Sequence, residues 1–156
     1  MRMMTERADF RKVQLGDMPA CAKIFNDWVD ATPWMPRVHT RDNVISYYQN
    51  TVGPNQMVWV TEDASGIQGF LSSTENFVTA VYVSPEARGR GVGKTLLDEA
   101  KMASPSGLSL WTFAENMRAQ KLYEREGFKE VRRTNGDNEE GLPDIFYSWP
   151  EAEAPA

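Results

Sequence analysis

Gly89, Gly91 and Gly93 stand at alternate positions among Arg88, Arg90, Val92 and Lys94. Alternate glycines strip side chains from a loop, so its backbone can approach a ligand closely. A helix opening at Val92 would bring unpaired N–H groups and its positive dipole end to the same place. With two arginines alongside, this is the chemistry of a diphosphate-binding turn. As a helix entry alone, three such glycines would cost conformational entropy without compensation. The arginines are expected to divide their work, one reaching phosphate and the other facing solvent.

Three glycine-rich motifs compete for this stretch. Gly93-Lys94-Thr95 looks like the end of G-x-x-x-x-G-K-[ST], but the first glycine of that motif would be Arg88. The dinucleotide fingerprint G-x-G-x-x-G also fails, because its third glycine falls on Lys94 or Leu96. What fits is Arg88-x-x-Gly91-x-Gly93 between an apolar strand and an amphipathic helix.

The elements that must hold this loop follow from hydrophobic period and turn residues. Phe10–Val13 reads as a strand. A helix capped at Gly16-Asp17 tolerates Pro19 in its first turn, carries Cys21, Ile24, Phe25 and Trp28 on one face, and ends before Thr32-Pro33. The stretch from Thr32 to Thr40 is a loop. Thr40 caps a second helix with Val44, Tyr47 and Tyr48 on its buried side, and Gly53-Pro54-Asn55 stops it. Met57–Thr61, Ile67–Ser72 and Phe77–Val83 form a meander. The helix over 92–103 puts Val92, Leu96, Leu97, Ala100 and Ala103 on one apolar face, and Leu108–Phe113 completes a β-α-β unit with parallel neighbouring strands. Asn116 opens a short helix with Ala119, Leu122 and Tyr123 inward and Gly127 at its end. Phe128–Thr134 and Ile145–Trp149 are two last strands, antiparallel to each other and joined by a polar connection. The sum is an α/β (α+β) domain over 8–150. Its central sheet is mixed and mostly antiparallel, with about six to seven strands flanked by about four helices.

At this point the chain resembles the GNAT superfamily of acetyl-CoA-dependent N-acetyltransferases. Its pyrophosphate loop is Arg/Gln-x-x-Gly-x-Gly/Ala. A second signature, Asn116-x-x-Ala119-x-x-x-Tyr123-Glu124-x-x-Gly127-Phe128, follows in order and after a strand. The resemblance covers about 8–150 in element order, and it is sharpest over 77–130. The Trp34-Met35-Pro36 to His39-Thr40 loop and the stretch from Asn138 to Trp149 resemble one bacterial subgroup of unassigned substrate.

The resemblance implies an acyl-CoA N-acyltransferase fold and direct acetyl transfer from acetyl-CoA to a primary amine of a small molecule or peptide. It implies that the loop amides of Gly89, Arg90, Gly91, Val92, Gly93 and Lys94, with Arg88, hold the diphosphate. The backbones of Val81 and Val83 would pair with the pantetheine arm, with the Val81 N–H as oxyanion donor. Tyr123 would be the general acid that protonates the departing thiolate. Asn116 caps its helix or hydrogen-bonds the pantetheine. Relatives commonly carry a glutamate where Phe77 stands here, so the base is open: Glu75 acting through water, or His39 in the loop over the acceptor site. Trp34, Met35, His39, Glu139 and Glu140 are the candidate acceptor residues, with Asp144 a further carboxylate near them.

Whole-chain properties set outer bounds. The chain has 156 residues, net charge −5, a single Cys21 and a single His39. An acidic chain argues against nucleic acid or a membrane as partner. One Cys and one His do not make an ordinary zinc site, so no metal is expected. The start lacks an apolar leader core and no run reaches membrane-spanning length, so a cytoplasmic location is expected. Residues 1–7 are expected to be flexible and 151–156 disordered, and a homodimer is left open. Of another class is a non-catalytic acyl-CoA-binding module, which release of free thiol with amines would separate from an enzyme.

Overall fold

The computed structural model describes residues 9–150, so the expectations for 1–7 and 151–156 lie outside the described residues. β1 (Asp9–Lys12) leads through a short 3-10 turn into α1 (Met18–Ala31), and α2 (Arg41–Tyr47) and the one-turn α3 (Gly53–Asn55) follow. The meander is β2 (Met57–Asp63), β3 (Gly66–Thr74) and β4 (Phe77–Val83). The second half comprises α4 (Val92–Ala103), β5 (Leu108–Phe113), α5 (Met117–Arg125), β6 (Lys129–Thr134) and β7 (Asp144–Trp149).

The seven strands form one sheet in the order β1-β2-β3-β4-β5-β7-β6. Every neighbouring pair is antiparallel except β4 with β5. The mixed, mostly antiparallel α/β architecture expected from the periodicity is therefore present. The bounds of β4, α4 and β5 coincide with the expected ones: β4 and α4 each end two residues before a proline, and β5 begins directly after Gly107. Of the apolar face expected on α4, Ala103 at its last position is exposed, and Val92, Leu96, Leu97 and Ala100 are buried.

Alternation along β3 divides the core between two faces of the sheet. Phe70 packs with Met18, Cys21, Val44 and Tyr48 on the α1–α2 side. Leu71 packs with Leu96, Leu97, Tyr123 and Phe128 on the α4–α5 side. Cys21 belongs to the first cluster, where burial pushes its thiol up to about 12. Buried and protonated, Cys21 is no nucleophile at neutral pH.

Two local expectations are corrected. Tyr47 is 53 % exposed, whereas Tyr48, one α-helical turn after the buried Val44, is buried. Gly53-Pro54-Asn55 does not stop the helix but forms α3, with Pro54 in its first turn, where no N–H is needed. Gly53 instead serves packing, since a Cβ there would stand 2.9 Å from Met18 Cγ.

The joint that matters for the site is β4 with β5. They pair at one register position, Phe77 with Ser109, supported by Ser109 N–H donating to the Asn76 carbonyl at 3.0 Å. Beyond it they part. On its other edge β4 stays paired to β3, with a register shift that leaves Thr79 as an extra residue. Such a bulge bends its strand. The Thr79 hydroxyl is fixed to Gln56 at 2.6 Å and Ser72 at 2.7 Å.

Gly69 on β3 lies under the start of α4, where a Cβ would come within 2.8 Å of Val92 Cγ1 and 3.2 Å of the Tyr82 carbonyl oxygen. Gly69→Ala is expected to destabilise the fold by about 1–3 kcal/mol through overpacking, read as a lower midpoint in chemical denaturation.

Candidate active site

The parting of β4 and β5 opens a cleft of about 730 Å³ that runs to the glycine loop. From Val78 onward β4 has no strand on its β5 side. Alternate backbone groups of Val81 and Val83, both lining the cleft, therefore face it without a strand partner.

At one end lies the loop. Gly89 (φ 79°) and Gly91 (φ 78°) take the left-handed conformation that side-chain-bearing residues avoid. Gly91 is the N-cap of α4 and supplies no side-chain cap, so the first-turn N–H groups of α4 lack an acceptor from it. Those free donors and the helix dipole make an anion seat. Arg88 lines the cleft; burial first, and then the nearby charge of Arg118, lower its pKa, though it stays cationic at neutral pH. Arg90 turns away to Asp63 in the β2–β3 turn, at 3.7 Å. Arg88 thus faces the cleft, and Arg90 faces a carboxylate where one of the two was expected to face solvent. Lys94 lines the cleft and pairs with Asp98 at 3.1 Å.

Tyr123 is buried on the inner face of α5 and lines the middle of the cleft. Burial raises its phenol well above the ordinary tyrosine range, so it is protonated at neutral pH. The helix that carries it is held in roll by its neighbour Glu124, which accepts from the Tyr147 hydroxyl of β7 at 2.8 Å. Asn116 caps α5, its side chain accepting from the Ala119 N–H at 3.1 Å, and also lines the cleft.

The far end is aromatic and acidic. Trp28, Tyr82 and Phe113 line it, with Trp28 and Tyr82 centroids 5.1 Å apart. Trp34 stands behind them, edge-on to Trp28 at 5.8 Å and to Phe113 at 6.0 Å. Met35 is half-buried in its loop and is not a cleft wall. The carboxylates here are Glu140 and Asp144. Asp144 is engaged by the Thr134 hydroxyl and the Asn138 amide. Glu140 has no hydrogen bond among the described residues; with Tyr123 it adds to the burial that raises the Tyr82 phenol, which places both near Tyr82.

His39 and Glu139 are brought together, Nε2 to Oε1 at 2.7 Å, joining loops a hundred residues apart. Both side chains are about half exposed, and neither lines the cleft. Glu75 is not brought to the site. It sits exposed in the β3–β4 turn at φ 52°, at the end where β4 and β5 are still paired and the cleft is closed.

Sequence reasoning missed the walls Trp28, Tyr82 and Phe113, and the cations Arg118, Lys121 and Arg125 of α5, which line the cleft. The aromatics come from three elements and carry no local signal. The cations had one, since spacings of three and four residues put them on one helical face.

A family model described as an acetyltransferase (GNAT) domain matches residues 54–130, and the chain belongs to that family. Peptidyl-lysine N-acetyltransferase YiaC of Escherichia coli K12 is 30% identical over 145 residues, covering 90% of this chain and 95% of the relative. Peptidyl-lysine N-acetyltransferase YjaB of Salmonella typhimurium is 31% identical over 86 residues, covering 54% and 59%. In fold, the chain is similar to the solution structure of apo YjaB from Escherichia coli (TM-score 0.75, 22% identity, 93% of this chain and 99% of that one). It is also similar to yncA of Salmonella typhimurium, a putative acetyltransferase solved with acetyl-CoA (TM-score 0.73, 21% identity, 96% of each). The protein is thus an acetyl-CoA-dependent N-acetyltransferase. Among the described residues there is no group of three or more potential metal ligands, and no helix is long and apolar enough to cross a membrane.

The division between the arginines is testable by calorimetry with coenzyme A. Arg88→Gln is expected to weaken binding about tenfold, the cost of one charge-assisted phosphate contact. Arg90→Gln, whose guanidinium is turned to Asp63, is expected to change it less than threefold.

Proposed function

We propose that the protein acetylates the side-chain amine of lysine in peptides, by direct transfer within a complex of enzyme, acetyl-CoA and acceptor. The observation that carries this reading is the single cleft, with anion-binding amides at one end, the buried Tyr123 in the middle, and aromatic rings with Glu140 at the other. Aromatic faces and a carboxylate suit an ammonium group on an apolar stem. The peptidyl-lysine acetyltransferase YiaC, similar over nearly its whole length, supports the same acceptor class.

The steps use groups already placed. The loop amides from Gly89 to Lys94 and Arg88 hold the diphosphate, while the exposed edge of β4 at Val81 and Val83 holds the pantetheine arm. The lysine ammonium gives a proton to Glu140, directly or through one water. The free amine attacks the thioester carbonyl carbon, forming the C–N bond and a tetrahedral oxyanion that accepts from the Val81 N–H. Collapse breaks the C–S bond and the thiolate takes the Tyr123 proton; the amide nitrogen gives up its extra proton, which restores the Tyr123 phenol, and Glu140 releases its proton to solvent. Holding both reactants in one cleft supplies much of the acceleration, and no covalent acyl-enzyme is required.

Glu140 replaces Glu75 as the base because it lines the cleft and Glu75 does not. His39 is bonded to Glu139 outside the lining, so its place is in fixing the mouth of the acceptor end. The buried, unpaired Cys21 fits a cytoplasmic setting.

Thiol release with a lysine-containing peptide tests the reading; no release with any amine acceptor would sink it in favour of a binding module. Tyr123→Phe is expected to lower kcat about a hundredfold while the affinity for coenzyme A is kept. With the native tyrosine pKa raised, the alkaline side of the wild-type kcat profile is not expected to fall through the ordinary tyrosine range. Glu140→Gln is expected to depress turnover most at neutral pH and to recover as pH rises, because the free amine then forms without a base. A uniform loss across pH would remove Glu140 from the base role.

A further inference from the structure

Positive charge in this protein is mostly neutralised where it stands. Arg11 pairs with Asp17, Arg41 with Asp30, and Arg133 with Glu130, and the other paired cations follow suit, while Lys12 and Arg132 lie over aromatic rings. Among the described residues, Arg88, Arg118, Lys121, Arg125 and Lys129 have neither kind of partner, and all but Lys129 line the cleft.

Three of these four are on α5. Arg118, Lys121 and Arg125 are spaced by three and four residues and so form one stripe, about 10 Å from end to end along the axis. Like charges at that spacing repel. Arg118 also sits in the first helical turn, where the dipole disfavours a cation, and no acidic residue of that turn offsets it. The stripe is beside the glycine loop: a Cβ on Gly93 would stand 3.0 Å from Leu122 of α5, and Arg88 feels the charge of Arg118. An uncompensated row of cations in an otherwise acidic chain points to an anion that arrives with a ligand.

The diphosphate does not account for the row. It has the free amides of the α4 entry and Arg88. Coenzyme A carries a further anion, the phosphate monoester on the ribose 3′-oxygen, one sugar away from the diphosphate and close to doubly charged at neutral pH. We propose that Arg118, Lys121 and Arg125 form the subsite for this 3′-phosphate, so that the enzyme selects coenzyme A over 3′-dephospho-coenzyme A. Arg118, nearest Arg88, bridges the two phosphate groups, and Lys121 and Arg125 grip the monoester. The proposal rests on acetyl-CoA as donor and is independent of which amine is acetylated.

Calorimetry on the full chain, with coenzyme A and 3′-dephospho-coenzyme A as probes, tests it. The native protein is expected to bind coenzyme A at least about tenfold more tightly, the scale of one charge-assisted phosphate contact. The double variant Lys121→Gln/Arg125→Gln is expected to bring coenzyme A down to the affinity of the dephospho form and to leave the latter unchanged. Lys129→Gln, an unpaired cation outside the cleft, is expected to leave the ratio as it is. Equal affinities in the native protein would overturn the proposal. So would an equal weakening of both ligands by the double variant, which would return the stripe to the diphosphate, or a ratio shifted by Lys129→Gln, which would reduce it to general charge. Lysine-peptide turnover is a separate reading, so its failure leaves these outcomes interpretable.

Discussion

The rest of the structure depends on a parallel strand pair that is joined at one end only. β4 and β5 meet at Phe77 and Ser109 and then diverge. A fully zipped pair would satisfy its own backbone and leave nowhere for an extended ligand arm. The bulge at Thr79, fixed by Gln56 and Ser72, bends β4 where the parting begins. The crossover helix α4 brings its N-terminus to the open end, and α5 closes the side. Because the sheet continues on both flanks, the wedge is held open by two antiparallel blocks rather than by a flexible loop.

Charge is organised around the same wedge. The chain is acidic overall, yet among the described residues four of the five unpaired cations line the cleft. Glu140 stands at the other end among Trp28, Tyr82 and Phe113. The cleft therefore carries opposite signs on different parts of its wall, which suits the proposed placement of an anionic donor and an ammonium acceptor. Burial of Tyr123 in its wall raises that phenol above the ordinary tyrosine range. That gradient orients both reactants before any bond changes.

Much of this was legible in the sequence where a local rule forced the outcome. The loop from Arg88 to Gly93 declared itself because Gly89 and Gly91 need a left-handed backbone that side chains resist. Asn116 and Gly127 bracket α5 for equally local reasons, one as a cap and one at φ 95°. What was not legible was set by distant parts of the chain. Trp28 reaches Tyr82 and Phe113 only through the packing of α1 across the sheet. Tyr47 and Tyr48 both fit a helical stripe with Val44, three and four residues on, and only the packing of Tyr48 against Phe25 and Phe70 shows which of them is buried. Glu75 was near the right strand but at the wrong end of it, a distinction that only the register of β4 against β5 makes. Gly53-Pro54 read as a stop because its glycine was taken for a breaker rather than a spacer for Met18.

The bond from Tyr147 to Glu124 has a wider meaning once α5 is seen as one mechanical part. The helix is nine residues long, about 13.5 Å of rigid rod. It carries Tyr123, the proposed proton donor, on one side and the cationic stripe along the cleft. A roll of the rod by one residue, about a quarter turn, would swing both away together. The carboxylate of Glu124, anchored to β7, acts as the key in the keyway. The proposed grip on one extremity of the donor and the proposed delivery of a proton at the other would thereby be set in common register. A disturbance at either would be transmitted along the rod rather than absorbed between two independent sites.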